Sequence, residues 1–507
     1  MQAGEYARAV EAFAQAIRTL DNDTDVWLKL GDAHFGLTYF DVARVNKARN
    51  CWEQAIAKNP SLLPARRKLL NFWVEWANAN TGGLRAKSLA QAGACARDLL
   101  RLSSGDKQAR FAANWAVVEL WIMREPVDQR RLDEAIRELR KLQTEDPDNA
   151  EVHYAVARAQ VYRGMELLRA GHFDEGQSSI DSGVKTMEQA ARRYPNNAAF
   201  AYRRVQLLLL VGPRLPKSPT SEQIREKTQE FNSLLFTLAE RARAFGRPDD
   251  KEYEAICVTA ALMAKRAGRM EDAEKIYREL LVTNPDSALG RVHLSELMRA
   301  DGKDRLDEAL AILVEPRKGT PPTGVPGVVA RDAERRALIA ATDIRLERYS
   351  ALLEKSDPAA GELLSRVEAD LKTIAETEPE SARYLKLVGK KQLFQSDPAA
   401  SARTLERALK VSPGPGERLH FEILFLLGRA CQLSDQPGNA EKYFGEILKG
   451  LDYPPARYEL TRLLIARNAL DEARQQLEQL RKTLPVSPEL DKLEQTLKEK
   501  SKPPEGP

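Results

Sequence analysis

The sequence predicts an all-α protein built from repeated pairs of helices. Its 507 residues are rich in Ala, Leu, Glu, Arg and Lys, which helices favour, and aromatic residues make up only 7%. Small and apolar residues recur at fixed helical spacings before a proline, and a second apolar segment precedes each such run. Together these observations indicate pairs of packed helices repeated along the chain.

The second helix of each pair is indicated by steps of four, three and five residues. Steps of four and three place side chains on one face of a helix, and the proline that follows ends it. The clearest examples are Ala48, Trp52, Ala55 and Pro60; Ala135, Leu139, Leu142 and Pro147; Ser401, Leu405, Ala408 and Pro413; and Ala473, Leu477, Leu480 and Pro485.

The first helix of each pair carries two apolar residues three apart, followed directly by glycine. This pattern ends at Gly31, at Gly389 and at Gly428. A residue without a side chain allows the paired helix to approach closely, so these glycines are expected to face the second helix.

These residues resemble the tetratricopeptide repeat family, over nearly the whole chain. The resemblance implies a right-handed α-α superhelix, a solenoid of stacked helix pairs. About eleven pairs fit between residues 24 and 484, and several are longer than the family's 34-residue unit. Residues 2–20 are expected to form the second helix of a unit whose first helix is missing, which suggests N-terminal trimming or a single capping helix.

Proline and glycine divide the predicted array into two stacks. Seven of the twelve residues 316–327 are Pro or Gly, which excludes a helix there. We therefore predict an N-terminal stack over residues 1–315, a loop at 316–327, a C-terminal stack over 328–500 and a disordered tail at 501–507.

Composition and motif searches argue against several classes of function. A net charge of +4 is too small for a generic DNA-coating protein, and no apolar run is long enough to span a membrane. The four cysteines and five histidines are scattered, and no phosphate-binding loop or nucleophile motif occurs. We expect no enzyme activity, no cofactor, no metal, no nucleic-acid partner and a cytoplasmic location.

The resemblance implies a partner-binding groove lined by positions two, five, nine and twelve of the first helices. Cations recur at position nine, which suggests a basic groove for a protein or peptide partner, such as an acidic peptide or a C-terminal carboxylate. The alternative is that they are solvated charges in an Arg-rich chain. The candidate residues are Arg67, Asn71, Arg158, Arg383, Lys386, Lys390, Arg429, Tyr458 and Arg462.

Arg67 and Asn71 match half of the family's clamp for a peptide carboxylate, but neighbouring units do not supply the other half. The function predicted is a non-catalytic scaffold that docks a partner segment in this groove. The alternative is a structural subunit of a bacterial secretion or envelope-assembly complex, with its targeting sequence missing upstream. The oligomeric state stays open.

Overall fold

The computed structural model describes residues 3–36, 43–79, 82–216, 218–248, 250, 252–285, 287–301, 305–314, 327–376, 378–412, 414, 417–483 and 487–501. These ranges contain 24 α-helices. The all-α class expected from the sequence is therefore confirmed. The helices fall into two compact units.

The first unit comprises Met1–Arg305 and Glu315–Glu334. Its helices are α1 (Ala3–Ile17), α2 (Thr24–Gly36), α3 (Ala43–Lys58), α4 (Leu63–Ala79), α5 (Gly82–Leu102), α6 (Lys107–Ile122), α7 (Gln129–Glu145), α8 (Ala150–Arg169), α9 (Phe173–Arg193), α10 (Ala198–Val211), α11 (Ser221–Phe245), α12 (Tyr253–Arg266), α13 (Met270–Thr283) and α14 (Ala288–Asp301).

The second unit comprises Leu306–Val314 and Arg335–Pro507. Its helices are α15 (Leu306–Val314), the part of α16 (Gly327–Glu354) from Arg335 onward, α17 (Ala359–Ala375), α18 (Ala382–Phe394), α19 (Pro398–Lys410), α20 (Arg418–Leu433), α21 (Pro437–Gly450), α22 (Pro454–Ala466), α23 (Leu470–Thr483) and α24 (Pro488–Lys500).

The order of the helices along the chain matches the predicted repeat. Between the single helices α1 and α24, the remaining 22 follow one another in the order of eleven successive pairs, although α14 and α15 belong to different units. We call the even-numbered helices α2 to α22 the A helices and the odd-numbered helices α3 to α23 the B helices. Pair lengths vary: α18 and α19 have 13 residues each, whereas α8 and α9 have 20 and 21.

The helices α8 and α9 show that a pair is antiparallel and closely packed. A Cβ on Gly164 would lie 2.6 Å from Ile180, and one on Gly183 would lie 2.9 Å from Val161. The residue that comes later in α8 faces the residue that comes earlier in α9, so the two helices run in opposite directions. Glycine at these positions permits backbone contact that any side chain would prevent.

The glycines singled out in the sequence occupy the close contacts predicted for them. A Cβ on Gly389 would lie 2.6 Å from the Leu405 side chain, and one on Gly428 would lie 2.6 Å from the Phe444 ring. A Cβ on Gly31 would meet the buried Trp52 in the same way. Each contact joins an A helix to the B helix of its own pair.

The turn from an A helix to its B helix repeatedly contains one residue in the left-handed region. Its φ lies between 53° and 87°, a conformation that costs free energy for any residue with a Cβ. The A-to-B connections with this residue are those at Arg124, Gly171, Gly212, Gly268, Ser356, Ser396, Asp435 and Asn468.

The core consists of local clusters shared by neighbouring helices. One cluster joins α18 to α22 through buried residues that include Leu405, Leu427, Phe444 and Leu463. Because most packing contacts link neighbours, stability in such an array is close to a sum over pairs and interfaces.

The predicted loop at 316–327 lies outside the described residues except for Gly327, where α16 begins. The predicted tail lies outside them except for Ser501, the C-cap of α24. The boundaries of the two stacks at 315 and 328 stay predictions, while the compact units divide after Arg305, Val314 and Glu334.

Candidate partner-binding face

Side-chain contacts between successive A helices build one face in each unit. Gln108 of α6 donates to Asn71 of α4 at 2.6 Å, and Gln432 of α20 donates to Glu459 of α22 at 3.3 Å. The A helices of neighbouring pairs therefore lie side by side. We call their shared polar surface the A face of each unit.

Arg67 and Asn71, the two matches to the carboxylate clamp, both contact the next helix pair. Arg67 donates to the Asp106 carboxylate at 2.9 Å, and Asn71 accepts the hydrogen bond from Gln108. Asp106 also caps the N-terminus of α6. Arg67 keeps 49% of its side chain exposed, so its charge is paired but accessible.

Arg158 lies in a charge cluster centred on the buried carboxylate of Glu119. Glu119 is 2% exposed and accepts hydrogen bonds from Arg158 and, at 2.8 Å, from Arg85. The Arg158 guanidinium also lies over the rings of Tyr154 and Tyr162 at 5.9 and 5.6 Å. The positive charge of Arg158 is therefore largely neutralised within the protein.

Arg203, which the sequence analysis did not single out, forms a second cluster on the same face. Its guanidinium donates to Glu151 of α8 and to Glu252, the N-cap of α12. It lies over the rings of Tyr154 and Tyr202 at 5.6 and 5.2 Å. One side chain of α10 thus ties together three consecutive A helices.

In the second unit, Lys386 and Lys390 lie inside a buried network on α16, α18 and α20. Lys386 Nζ lies 3.1 Å from Asp343 and 2.8 Å from Glu422. Lys390 Nζ lies 2.5 Å from Asp343 and 3.1 Å from Glu347. Three carboxylates thus surround two ammonium groups, so these lysines add no net positive charge to the face.

The pKa of Glu422 reflects this network. Burial alone would raise the pKa of its carboxyl group, but the charge and hydrogen bond of Lys386, aided by Arg418, outweigh burial and bring it below the ordinary value. Glu422 is therefore ionised at neutral pH.

The other four candidates are presented differently on the A face of the second unit. Arg383 is exposed, Arg429 is half-buried, and Tyr458 is half-buried beside the core of α22 to α24. Arg462 pairs with Glu459 at 3.0 Å but keeps 52% of its side chain exposed. Within the part of the chain that the structure describes, Arg429 has no ion pair or hydrogen bond through its side chain.

Several carboxylates that neutralise the predicted cations lie about one helix pair away in the sequence. Asp106 follows Arg67 by 39 residues, whereas two other carboxylates precede their cations. Glu119 precedes Arg158 by 39 residues, and Asp343 precedes Lys386 by 43. A search for opposite charges one repeat length apart could have found these pairs, although the unequal pair lengths blur that signal.

Two cysteines and the possible metal ligands of the described residues can be compared with what nucleophilic and metal-binding sites require. Burial raises the pKa of the Cys51 and Cys95 thiols to about 11, so both are protonated at neutral pH and weak nucleophiles. No group of three or more His, Cys, Asp or Glu side chains in these ranges could hold a metal ion. None of the described helices combines the length and the apolar character that a membrane crossing requires.

The sequence matches no protein-family model and no curated protein. Among solved structures, the human IFIT1 dimer with m7Gppp-AAAA is 14% identical, covers 86% of this chain and 95% of its own, and has a TM-score of 0.45. Yeast Tom70 is 13% identical over 87% of this chain and 88% of its own, with a TM-score of 0.39.

The APC/C hetero-tetramer Cut9-Hcn1 gives 11% identity over 98% of this chain and 94% of that chain, also with a TM-score of 0.39. These likenesses are distant. The tetratricopeptide-like fold is therefore assigned from the chain's own helix pairs, with glycine facing a bulky residue inside the pair and a left-handed residue at the turn.

Proposed function

We propose that this chain is a non-catalytic scaffold that docks a segment of a partner protein on the A face of its second unit. The observation that supports this most directly is Arg429, a half-buried cation on an A helix with no carboxylate partner among the described residues. A partly buried charge without a partner is costly unless a bound group compensates it.

The chemistry around Arg429 favours an acidic, partly apolar segment. Arg462 occupies the equivalent position on the next A helix and Arg383 lies on the preceding one, so three accessible cations come from adjacent helices. Tyr458 and Phe425 add half-buried aromatic surface. Arginine pairs well with carboxylates, and aromatic rings accept apolar side chains.

The buried lysines are unsuitable for testing this proposal. Reversing Lys386 or Lys390 would place another carboxylate beside Asp343 and destabilise the unit whether or not a partner binds. The informative variant is Arg383→Glu, Arg429→Glu and Arg462→Glu combined.

A matched control carries the same charge change on the B helices of the same unit. Arg366 on α17, Arg403 on α19 and Arg474 on α23 are all exposed, so their combined reversal changes the net charge equally. Circular dichroism and a thermal melt of both triple variants would show that each one folds.

The probe is a displayed library of random peptides selected on the full chain, with affinities then measured for the selected peptides. We expect enrichment in Asp and Glu, at least about tenfold weaker binding to the A-face variant, and unchanged binding to the control. Peptides that bind the A-face variant as well as the parent, or that lose binding to both variants equally, would overturn the proposal.

A further inference from the structure

The helix α11 extends well beyond the helices that neighbour it in sequence. It has 25 residues, whereas α10 and α12 have 14 each. Its second half is packed in the core through residues such as Leu235 and Ala242. Of residues 221–230, all but the half-buried Thr228 are exposed. We call residues 221–231 the α11 overhang.

The overhang begins at a well-defined cap. Thr220 Oγ1 accepts from the Gln223 backbone N–H at 3.2 Å, and the Gln223 side chain accepts from the Thr220 N–H at 3.0 Å. This reciprocal capping box stabilises the first turn. The overhang is therefore preformed, and a partner would bind it without first having to order it.

An apolar stripe runs along the overhang. Ile224, Thr228 and Phe231 are spaced at four and three residues, which places them on one face. Ile224 is 41% exposed, Phe231 is half-buried, and Leu234, at the edge of the stripe, is 44% exposed. A single exposed apolar residue is ordinary, but a stripe on a projecting helix is suited to another helix.

The charges beside the stripe point to a specific occupant. Lys227 and Glu230 lie on the same edge of the stripe and pair with each other at 2.8 Å. In two antiparallel helices related by a two-fold axis, like edges face each other, and residues meet their counterparts in reverse order. Lys227 of each copy would therefore face Glu230 of the other copy, which gives two ion pairs between the copies.

We infer that the α11 overhang binds the same segment of a second copy of this chain, antiparallel and with two-fold symmetry. Thr228 lies near the centre, where its small side chain allows Ile224 of each copy to pack against Phe231 of the other. The opposite edge carries Arg225 among the uncharged residues Ser221 and Gln229, so no like charges are forced together.

The size of this contact predicts its strength. Three helical turns from each copy bury less than the roughly 1,200 Å² of a stable interface. We therefore expect a dissociation constant between about 1 µM and about 100 µM, which makes the dimer dependent on concentration.

Sedimentation equilibrium of the full chain, from about 1 µM to about 200 µM, tests the inference. The parent chain should shift from monomer to dimer over this range, and Ile224→Asp should stay monomeric. Val282→Asp is the matched control, because Val282 is 81% exposed on α13 outside the stripe, and its loss should leave the dimer unchanged.

Charge exchange separates this dimer from any other. Lys227→Glu or Glu230→Lys alone should weaken association at least about tenfold, and the double exchange should restore it because both pairs re-form. Circular dichroism checks that each variant is folded. A chain that is monomeric throughout, a dimer that Ile224→Asp leaves intact, or a double exchange that fails to restore association would overturn the inference.

Discussion

Lys390 Nζ lies 2.5 Å from Oδ1 of Asp343, and both side chains are almost fully buried, at 8% and 7% exposure. Asp343 also accepts from Lys386, so one carboxylate on α16 holds two ammonium groups of α18. Removing one member of a buried ion pair leaves an uncompensated charge, which is far more costly than losing a surface pair.

We therefore predict that Asp343→Asn lowers the free energy of unfolding by about 3 kcal/mol. Lys390→Met should cost less, because Asp343 keeps Lys386 as a partner. Arg462→Ala, which breaks an exposed pair, should change stability by less than about 0.5 kcal/mol. Urea unfolding followed by circular dichroism measures all three, and an Asp343→Asn effect no larger than that of Arg462→Ala would contradict the role of the network.

The contact between Gly428 and Phe444 leads to a second prediction. A Cβ on Gly428 would lie 2.6 Å from the ring, so Gly428→Ala should overpack the α20–α21 contact and cost about 1–3 kcal/mol. Gly445 on α21 has no atom within 4 Å of its missing Cβ, so Gly445→Ala should stabilise the helix by about 0.5–1 kcal/mol. Thermal melts of the two variants compare them directly, and shifts of the same sign would contradict the prediction.

Contacts within a pair could be predicted from the sequence. Gly389 and Leu405 recur at fixed positions of the repeat, and helical periodicity carries them to the shared face. The local spacing of small, bulky and proline residues therefore predicts the order of the helices and the close contacts within a pair. The contact between Gly428 and Phe444 is a second example.

Contacts between pairs could not be predicted in the same way. The neutralisation of Lys390 depends on Asp343 and Glu347, which lie on α16, a helix of 28 residues that no repeat spacing indicated. Because pair lengths vary, the sequence of one pair does not determine which residues of neighbouring A helices lie opposite each other. The candidate site was therefore recognised as a row of cations, without the carboxylates that pair with several of them.

The left-handed residues at the A-to-B turns give a third prediction. Ser396 has φ of 62°, which is strained for a residue with a Cβ, so Ser396→Gly should stabilise the chain by up to about 1 kcal/mol. Gly268 has φ of 77° with open space around it, so Gly268→Ala should cost about 1–2 kcal/mol through backbone strain alone.

A control variant tests whether the stabilisation by Ser396→Gly arises from the backbone conformation of the turn. Ser365→Gly places the same substitution at an exposed position inside α17, where it should destabilise by about 0.5 kcal/mol. Differential scanning calorimetry measures the three variants. If Ser396→Gly lowered the melting temperature as Ser365→Gly does, the strain argument would be wrong.

Glu274 provides a prediction about pH. Hydrogen bonds from Arg305, opposed in part by burial and aided by Arg278, lower the pKa of its carboxyl group to about 2. Because the unfolded chain binds this proton more readily than the folded one, the contribution of Glu274 is complete above the ordinary pKa of 4.5 and is lost as pH falls towards 2.

Glu274→Gln should therefore be less stable than the parent by about 1 kcal/mol at pH 6, a value limited by solvent screening of the pair. The stability difference should shrink as the pH falls below 4.5. Protonation of Glu274 then removes its charged pairing from the parent, and the variant already lacks that pairing. Arg305→Met should remove most of the same pH dependence because Arg305 is the main cause of the lowered pKa. Urea midpoints of the three proteins between pH 6 and the lowest pH at which all fold give the comparison. A stability difference for Glu274→Gln that stays constant or grows as pH falls would show that the Arg305–Glu274 pair does not hold this carboxyl group in its ionised form.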